Sequence, residues 1–453
     1  MSSVALSLLA NQLGLRLASE DVALTGLAID SRRVKSGDLF AAIEGATVNG
    51  NDFIDAAIAK GAAAVISTQS VAQPIPSLQV ESVEKACADF GLLMRQCASA
   101  KVVGITGSAG KTTAKAFVEQ ICARAGDTVA TLGNQNNELG VPLTLARLAS
   151  DPDFAVIEMG AAQRGDIAYL ARMAKPEVVV LLNALEAHIG RFGSVETIVE
   201  TKGEILDGLT SDSIAVLNAD QPHLNVWKNR AQPASIITFG MSPESDVRCL
   251  DAVSKGFEGT SLTFSIGEAR YSVELAIPGT AGVMNALAAA AVGVGLGLEH
   301  DKIIAGLEAL SPVNGRGKTI HLGRGIRLVD DSYNASPSSV TAAISVLATT
   351  SAPRTAVLGD MLELGDGSVA YHREVGRQLA DCGVERLLSV GSLARHFGDV
   401  SGVQAEHFSD VNALIASKPE FAANETILVK GSRGVQLDQF VDSLSASLGV
   451  AQC

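Results

Sequence analysis

Lys101-Val102-Val103-Gly104-Ile105-Thr106-Gly107-Ser108-Ala109-Gly110-Lys111-Thr112-Thr113 decides the fold of this chain. Val102 to Ile105 predict a buried strand, a Gly-rich turn follows, and Lys111-Thr112-Thr113 opens a helix-compatible run from Ala114 to Ala123. In such a corner the backbone N–H groups point inward and cradle phosphate oxygens. Gly107 and Gly110 let the backbone come close, with no Cβ in the way. Lys111 has the reach for the β- and γ-phosphates, and the Thr112 hydroxyl suits Mg²⁺. Thr106, Gly107, Ser108, Ala109, Gly110, Lys111, Thr112 and Thr113 are therefore assigned to ATP or GTP. The match to the P-loop pattern is partial, because Ile105 stands where the leading glycine belongs. The alternative is an ordinary strand–turn–helix corner with a chance lysine.

Outward from this corner, apolar runs at 102–105, 154–157, 178–182 and 214–217 alternate with helix-length segments. That alternation predicts a largely parallel sheet with helices on both faces. Ser261 to Ser265 and Tyr271 to Leu275 alternate polar with apolar residues, which predicts a small antiparallel insertion within 246–277. Runs at 326–329, 355–358, 387–390 and 426–429, with helical patterns near 336–347, 368–381 and 435–448, predict a second, doubly wound unit. The Pro-bearing stretch Val71 to Leu78 and the stretch Ser311-Pro312-Val313-Asn314-Gly315 read as linkers. The expected organisation is α/β in three domains: residues 1–82, a central P-loop parallel-sheet ATPase domain at 83–313, and a Rossmann-like domain at 314–453.

The bulk properties agree with a large globular protein. At 453 residues the chain is too long for a single core. With 47% hydrophobic and 19% charged residues it has ample apolar surface to bury and is not disordered. A net charge of −14 argues against wholesale binding to nucleic acid or to an anionic membrane. The six cysteines include no Cys-x-x-Cys pair and read as reduced thiols of a cytoplasmic protein. The N-terminal stretch has no basic region ahead of its apolar residues, so no signal peptide is expected. The apolar run Ala286 to Leu298 is too short for the roughly 20 residues of a membrane span and predicts a core helix, loosened or ended by Gly293, Gly295 and Gly297.

Strand ends in an open α/β sheet border the ligand crevice. Glu158 closes the run Phe154–Ile157, where a carboxylate suits Mg²⁺ but serves equally as a cap. His188, a short way beyond the run at 178–182, suits a metal or a proton. Lys202 sits on a predicted helix, where an isolated lysine is ordinarily a solvated surface group. Gly133-Asn134-Gln135-Asn136-Asn137-Glu138-Leu139-Gly140-Val141-Pro142 is rich in amides able to hold a sugar or peptide, or it is simply a turn-rich loop.

Thr106–Thr113, Asn134–Pro142, Glu158, His188, Lys202 and Asn218-Ala219-Asp220 occur in an order that resembles the Mur ligases, the ATP-dependent amide-bond synthetases of peptidoglycan assembly. Asp330-Asp331-Ser332-Tyr333-Asn334-Ala335-Ser336-Pro337, Gly359-Asp360-Met361-Leu362-Glu363-Leu364-Gly365 and Val429-Lys430-Gly431-Ser432-Arg433 resemble the branch that adds D-alanyl-D-alanine. Asp30-Ser31-Arg32 and Gly37-Asp38-Leu39-Phe40 match that family's first domain, so the resemblance spans essentially the whole chain.

The resemblance implies ligation of D-alanyl-D-alanine to UDP-N-acetylmuramoyl-tripeptide through an acyl phosphate, in the cytoplasm and by a monomer. It implies ATP, two Mg²⁺ ions held by Thr112, Glu158, His188 and Lys202, and a carbamate on Lys202 formed from CO₂. Lys111, Glu158, His188 and Lys202 are the implied catalytic set. Asn285, Arg316, Asp331, Tyr333 and Asn334 would border the nucleotide. Ser31, Arg32, Asn134, Asn136 and Asn137 would hold the UDP-sugar end, and Lys430, Ser432 and Arg433 would face the peptide or dipeptide.

Two stretches depart from the family pattern. Thr280-Ala281-Gly282-Val283-Met284-Asn285 keeps only the last Asn of the usual His-Asn-x-x-Asn, and Asn51 stands where a His usually contacts substrate. The rival readings are the sibling that adds the third stem residue, a folylpolyglutamate synthetase, a P-loop ATPase or kinase without an amine acceptor, and a non-enzymatic nucleotide-binding scaffold. The sibling's Asp-Tyr-Ala-His-Thr-Pro and Asp-Asn-Pro-Arg stretches are absent.

Overall fold

In the computed structural model, which describes residues 3–45, 47–186, 189–312 and 315–449, the decisive strand runs from Lys101 to Thr106 inside a nine-stranded sheet. Phe154–Glu158 and Val178–Leu181 flank it, both parallel, so Glu158 and the chain beyond Leu181 arrive at the same edge as the Gly-rich turn. Ile214–Asn218 and Ser235–Gly240 continue the sheet in parallel on one side, and Thr128–Ala130 closes the other. Runs buried on both faces need no polar alternation, which explains the near-continuous Val, Ile and Leu of these strands.

The antiparallel segment is not a separate insertion. Val247–Ser254 pairs in parallel with the end of Ser235–Gly240, and Thr260–Ile266 and Ala269–Leu275 then extend the same sheet. Asp246 fixes the junction by accepting from the Thr238 N–H and hydroxyl, each at 2.7 Å. Leu262, Phe264, Val273 and Leu275 join the core beneath the P-loop helix Lys111–Ala123.

The helix Gly279–Gly295 is part of that core, but it passes straight through Gly293. A Cβ on Gly293 would lie 2.7 Å from Ile303, and one on Gly306 2.5 Å from the Ile121 Cα. Both glycines therefore serve close packing between helices. Gly297, at φ +71°, is the one that lies beyond the helix end in the left-handed region.

The C-terminal residues form a six-stranded sheet, parallel apart from the edge strand Lys318–His321. Thr426–Lys430 lies between Arg327–Asp331 and Arg354–Gly359, which makes the carboxyl ends of these three strands a topological switch point. The predicted helices appear as Pro337–Ala348, Ser368–Asp381 and Asp438–Leu448.

Near the N-terminus, Gly26–Ala28, Asp38–Ala41, Ala64–Ser67 and Ser77–Gln79 form a parallel four-stranded sheet. The stretch Val71–Leu78 therefore leads into the edge strand of this sheet. Helix Val83–Cys97 buries Val83, Cys87, Phe90 and Met94 against the same core. Of the linker Ser311–Gly315, Val313 and Asn314 lie outside the described residues. No helix among the described residues is long and apolar enough to cross a membrane.

Candidate active site

The Gly-rich turn is braced from behind by the segment after Leu181. The Ala109 N–H donates to Asn183 Oδ1 at 2.9 Å, and Asn183 Nδ2 returns a bond to the Ala109 carbonyl at 3.1 Å. Ser108 exchanges bonds with the Leu185 backbone in both directions. The Thr106 hydroxyl donates to the Met159 carbonyl at 2.9 Å and the residue is fully buried, so Thr106 offers a ligand only backbone. Gly110 is held at φ +85°, and a Cβ there would strike the Asn285 amide, which ties Asn285 to the turn. Asn183 is not among the residues the sequence singles out; an amide just past a strand end is the available signal.

Lys111 Nζ donates to the Gly107 carbonyl at 2.8 Å. Burial pushes its ammonium below the ordinary lysine value, Glu158 pulls it back up, and Arg316 adds to the fall. A group from the central sheet and one from the C-terminal unit thus both act on this lysine. Arg316 stacks 4.2 Å over the Tyr333 ring.

Glu158 is 2% exposed. Its Oε1 accepts from Asn136 Nδ2 at 2.7 Å, while Oε2 is buried with no hydrogen-bond partner. An ionised buried carboxylate oxygen without a partner is unfavourable unless a cation meets it. Magnesium commonly takes one or two protein ligands and draws the rest from water and phosphate. Glu158 with the half-buried Thr112 at the head of the P-loop helix fits that requirement. Among the described residues no three His, Cys, Asp or Glu side chains converge on a metal position, and His188 lies outside them.

Lys202 is 3% exposed on helix Val195–Gly203, not on the surface. Its Nζ sits 5.7 Å from the centre of the Phe192 ring. Burial first and the Lys111 charge second bring it down to about 7, against the pull of Glu204 and Asp166.

The amide loop turns inward more than the sequence suggests. Asn136 holds Glu158, and Asn137 Oδ1 accepts from the Gly140 N–H at 2.9 Å, so both order the loop, while Asn134 is exposed. Asn51 is likewise committed. Its Oδ1 accepts from Ser67 at 2.6 Å, and its Nδ2 donates to Asn49 and Glu44. Ser31 is buried, and Arg32 is exposed and grips Asp30, holding that carboxyl down at about 2.

On the C-terminal side, Lys430 is 4% exposed and donates to Asp331 Oδ2 at 2.6 Å and to the Asn334 carbonyl at 3.0 Å. Burial still raises the Asp331 carboxyl, with Lys430 and Arg316 pulling it down. The Ser432 hydroxyl accepts from the Leu362 N–H at 2.9 Å and donates to the Ala335 carbonyl at 3.4 Å. Lys430 and Ser432 thus build the loops of the switch point from within. Asp330, also missing from the predicted set, accepts from the Gly315 N–H and from both Ser332 donors, pinning the linker end to the strand. Arg433 is exposed, pairs with Asp438, and borders a cavity of ≈ 180 Å³ with Asn334, Ser336 and Leu362.

A P-loop, an unpartnered carboxylate oxygen, a buried low-pKa lysine and a cationic contribution from a second α/β unit define a nucleotide-dependent enzyme with its crevice between domains. Family models match along the chain: Mur ligase family, catalytic domain, at residues 23–90; Mur ligase middle domain at 105–293; and Mur ligase, glutamate ligase domain, at 315–433. The chain belongs to the Mur ligase family.

It is 37% identical over 447 residues to the UDP-N-acetylmuramoyl-tripeptide--D-alanyl-D-alanine ligase of Escherichia coli strain K12, covering 98% of this chain and 99% of the relative. The Bacillus subtilis strain 168 enzyme of that name is 32% identical, with 94% of each chain covered. Among solved structures, MurF from Acinetobacter baumannii superposes with a TM-score of 0.87 at 27% identity, over 98% of this chain and 99% of that one. MurF ligase from Thermotoga maritima in complex with ADP gives 0.82 at 30% identity, over 93% and 97%.

Proposed function

We propose that this chain joins D-alanyl-D-alanine to UDP-N-acetylmuramoyl-tripeptide at the expense of ATP. A carboxylate resists attack by an amine because its carbonyl carbon is shielded by charge and hydroxide leaves poorly. Transfer of the γ-phosphoryl group to the tripeptide's terminal carboxylate removes both obstacles. The D-alanyl-D-alanine amine then attacks the acyl carbon, the C–N bond forms, and inorganic phosphate leaves. The observation that carries this reading is the phosphate-loop corner, where Lys111 Nζ donates to the Gly107 carbonyl and Glu158, held by Asn136, keeps a buried oxygen with no partner; Arg316 of the C-terminal unit acts on the same lysine.

The first step gathers negative charge from a triphosphate and a carboxylate, so cationic groups must stand between them. Lys111 and Arg316 supply fixed positive charge, and the P-loop amides orient the phosphates. Mg²⁺, held by Thr112 and Glu158, would neutralise the charge of the transferring phosphoryl group. Asn285, Asp331, Tyr333 and Asn334 line the nucleotide side. Ser31, Arg32 and Asn134 take the UDP-sugar end, with Asn136 and Asn137 holding the loop, and Arg433 faces the dipeptide.

Carbamylation needs a neutral amine, and for an ordinary lysine neutrality at pH 7 costs about 4–5 kcal/mol. The burial of Lys202 beside Lys111 removes most of that cost, which supports a carbamate there. With His188 it would hold a second Mg²⁺. The blocks 1–82, 83–313 and 314–453 act as UDP-substrate, ATP and ligase domains that close together and exclude water from the acyl phosphate. One chain carries every group named, so a monomer suffices. The free cysteines among the described residues favour the cytoplasm.

The test is phosphate release by the purified chain with Mg²⁺, ATP and UDP-N-acetylmuramoyl-tripeptide, with and without D-alanyl-D-alanine, alongside mass analysis of the nucleotide product. Dipeptide-dependent release and a UDP-N-acetylmuramoyl-pentapeptide are expected. ADP without that product would leave only the P-loop ATPase reading.

A further inference from the structure

The short helix Ile189–Phe192 joins two parts of the molecule. At one end it places the Phe192 ring beside Lys202 Nζ. Its other face meets the loop Glu363–Gly365 of the C-terminal unit, backbone against backbone. The Gly190 N–H donates to the Glu363 carbonyl at 3.3 Å, and a Cβ on Gly190 would lie 2.5 Å from the Gly365 nitrogen. The Arg191 guanidinium pairs with the Glu363 carboxylate. Just before this helix, Glu186 lies against Tyr371, another group of the C-terminal unit.

Glu363 is held at φ +65°, in the left-handed region. A non-glycine residue there is strained and persists only where its surroundings over-determine it. The surroundings do so here. The Leu362 N–H donates to Ser432 Oγ, and the Met361 N–H donates to Nε2 of the fully buried His372 at 3.0 Å. His372 Nδ1 in turn lies 2.6 Å from the Ser368 carbonyl, which leaves Nε2 as the acceptor. The loop is thus locked onto its own domain, and it presents the strained residue to the other one.

We propose that Gly190, Arg191 and Glu363 form an interdomain clasp, in which Arg191 and Glu363 are positioning residues that set the Phe192 ring against Lys202. The inference rests on the reactive role of Lys202 given above. The ion pair is half-exposed on the Arg191 side, as befits a contact that must open for substrate exchange. Closing the C-terminal unit then completes the Lys202 environment mechanically, through one turn of helix.

The experiment compares Arg191→Glu, Glu363→Arg and the double reversal in the full ligation assay. Each single change should lower kcat about fivefold with little change in KM for ATP, and the reversal should recover most of the loss, because an exposed pair is worth about 1 kcal/mol or less. Unchanged kcat in both singles, or a double reversal no better than the singles, would overturn the clasp. If the reversal does not fold, Gly190→Ala decides. Its Cβ meets the Gly365 backbone, and a kcat equal to that of the unaltered chain would sink the proposal. Failure of the parent chain to ligate is a separate outcome and refutes the proposed function itself.

Discussion

The two α/β units each place charged residues at the carboxyl ends of parallel strands, yet they treat those charges in opposite ways. In the C-terminal unit the charged and polar groups at the switch point are bonded, Lys430 through two bonds, Ser432 through two of its hydroxyl and Asp330 through three, although Asp438 Oδ1 and Thr426 Oγ1 of the same unit are buried without a partner. In the central unit Glu158 keeps a buried oxygen with no partner, and Lys202 is buried against an aromatic ring and near a second lysine. A saturated network rigidifies, whereas unmet buried charge is retained where a ligand will meet it. The contrast assigns scaffolding to Lys430, Ser432 and Asp330 and chemistry to Glu158 and Lys202, although the sequence motifs that carry them look equally functional.

Lys111→Ala should give the largest effect, a loss of about 10³-fold or more in kcat, since its charge acts mainly where phosphoryl charge develops. Steady-state ligation kinetics on the folded variant check this, and a loss below tenfold would erase the contrast. Lys202→Ala should lose about 10²-fold and regain part of it with added formate or acetate, which replace an anion that the chain no longer carries. Full activity without such addition would remove the carbamate.

Lys430→Ala should act on stability instead. Leaving the partly buried Asp331 unpaired should cost about 1–3 kcal/mol in denaturant unfolding. An unchanged midpoint with a collapsed kcat would move Lys430 into the chemical group.

The pH dependence sharpens the comparison further. Burial and the Lys111 charge bring Lys202 to about 7, against the ordinary lysine value of 10.5. Below that lower value both folded and unfolded chains hold the proton, and the penalty of the buried charge is complete. Between the two values the unfolded lysine keeps its proton while the folded one has lost it, so folding stability rises with pH. Lys202→Met removes this slope. In CO₂-free buffer the variant should be more stable than the parent near pH 6, with the gap narrowing as pH climbs through that window. Thermal unfolding across pH reads it, and a gap independent of pH would contradict the depressed lysine.

Arg433→Ala should do least. Its exposed pair with Asp438 is worth under about 1 kcal/mol, so stability should hardly change. A rise confined to the KM for D-alanyl-D-alanine would be the sign that it faces the dipeptide.

Much of this was legible along the chain because the signals are local. A strand buried on both faces reads as an apolar run, and a phosphate loop reads as glycines, a lysine and a threonine in fixed order. The errors came where a neighbour distant in sequence decides. Gly293 reads, with Gly295 and Gly297, as loosening or ending its helix; the helix does end at Gly295, but Gly293 is there because Ile303 needs its missing side chain. The antiparallel strands within 246–277 read as a small insertion until Asp246 and Thr238 are seen to weld them onto the main sheet. Asn51 resembles a substrate contact until Ser67, Asn49 and Glu44 are seen to consume its amide.

Read alone, the chain reveals the phosphate loop and the alternation of strands and helices, because each depends on residue type at short spacing, and it shows the family resemblance through the order of motifs from Asp30 to Arg433. Tertiary structure alone decided which charged residues are satisfied. Whether Lys202 is solvated or desolvated, whether Glu158 has one free oxygen, and whether Arg191 meets Glu363 depend on groups brought together from distant parts of the chain. Desolvation and electrostatic pairing are properties of that three-dimensional assembly, and no local pattern encodes them.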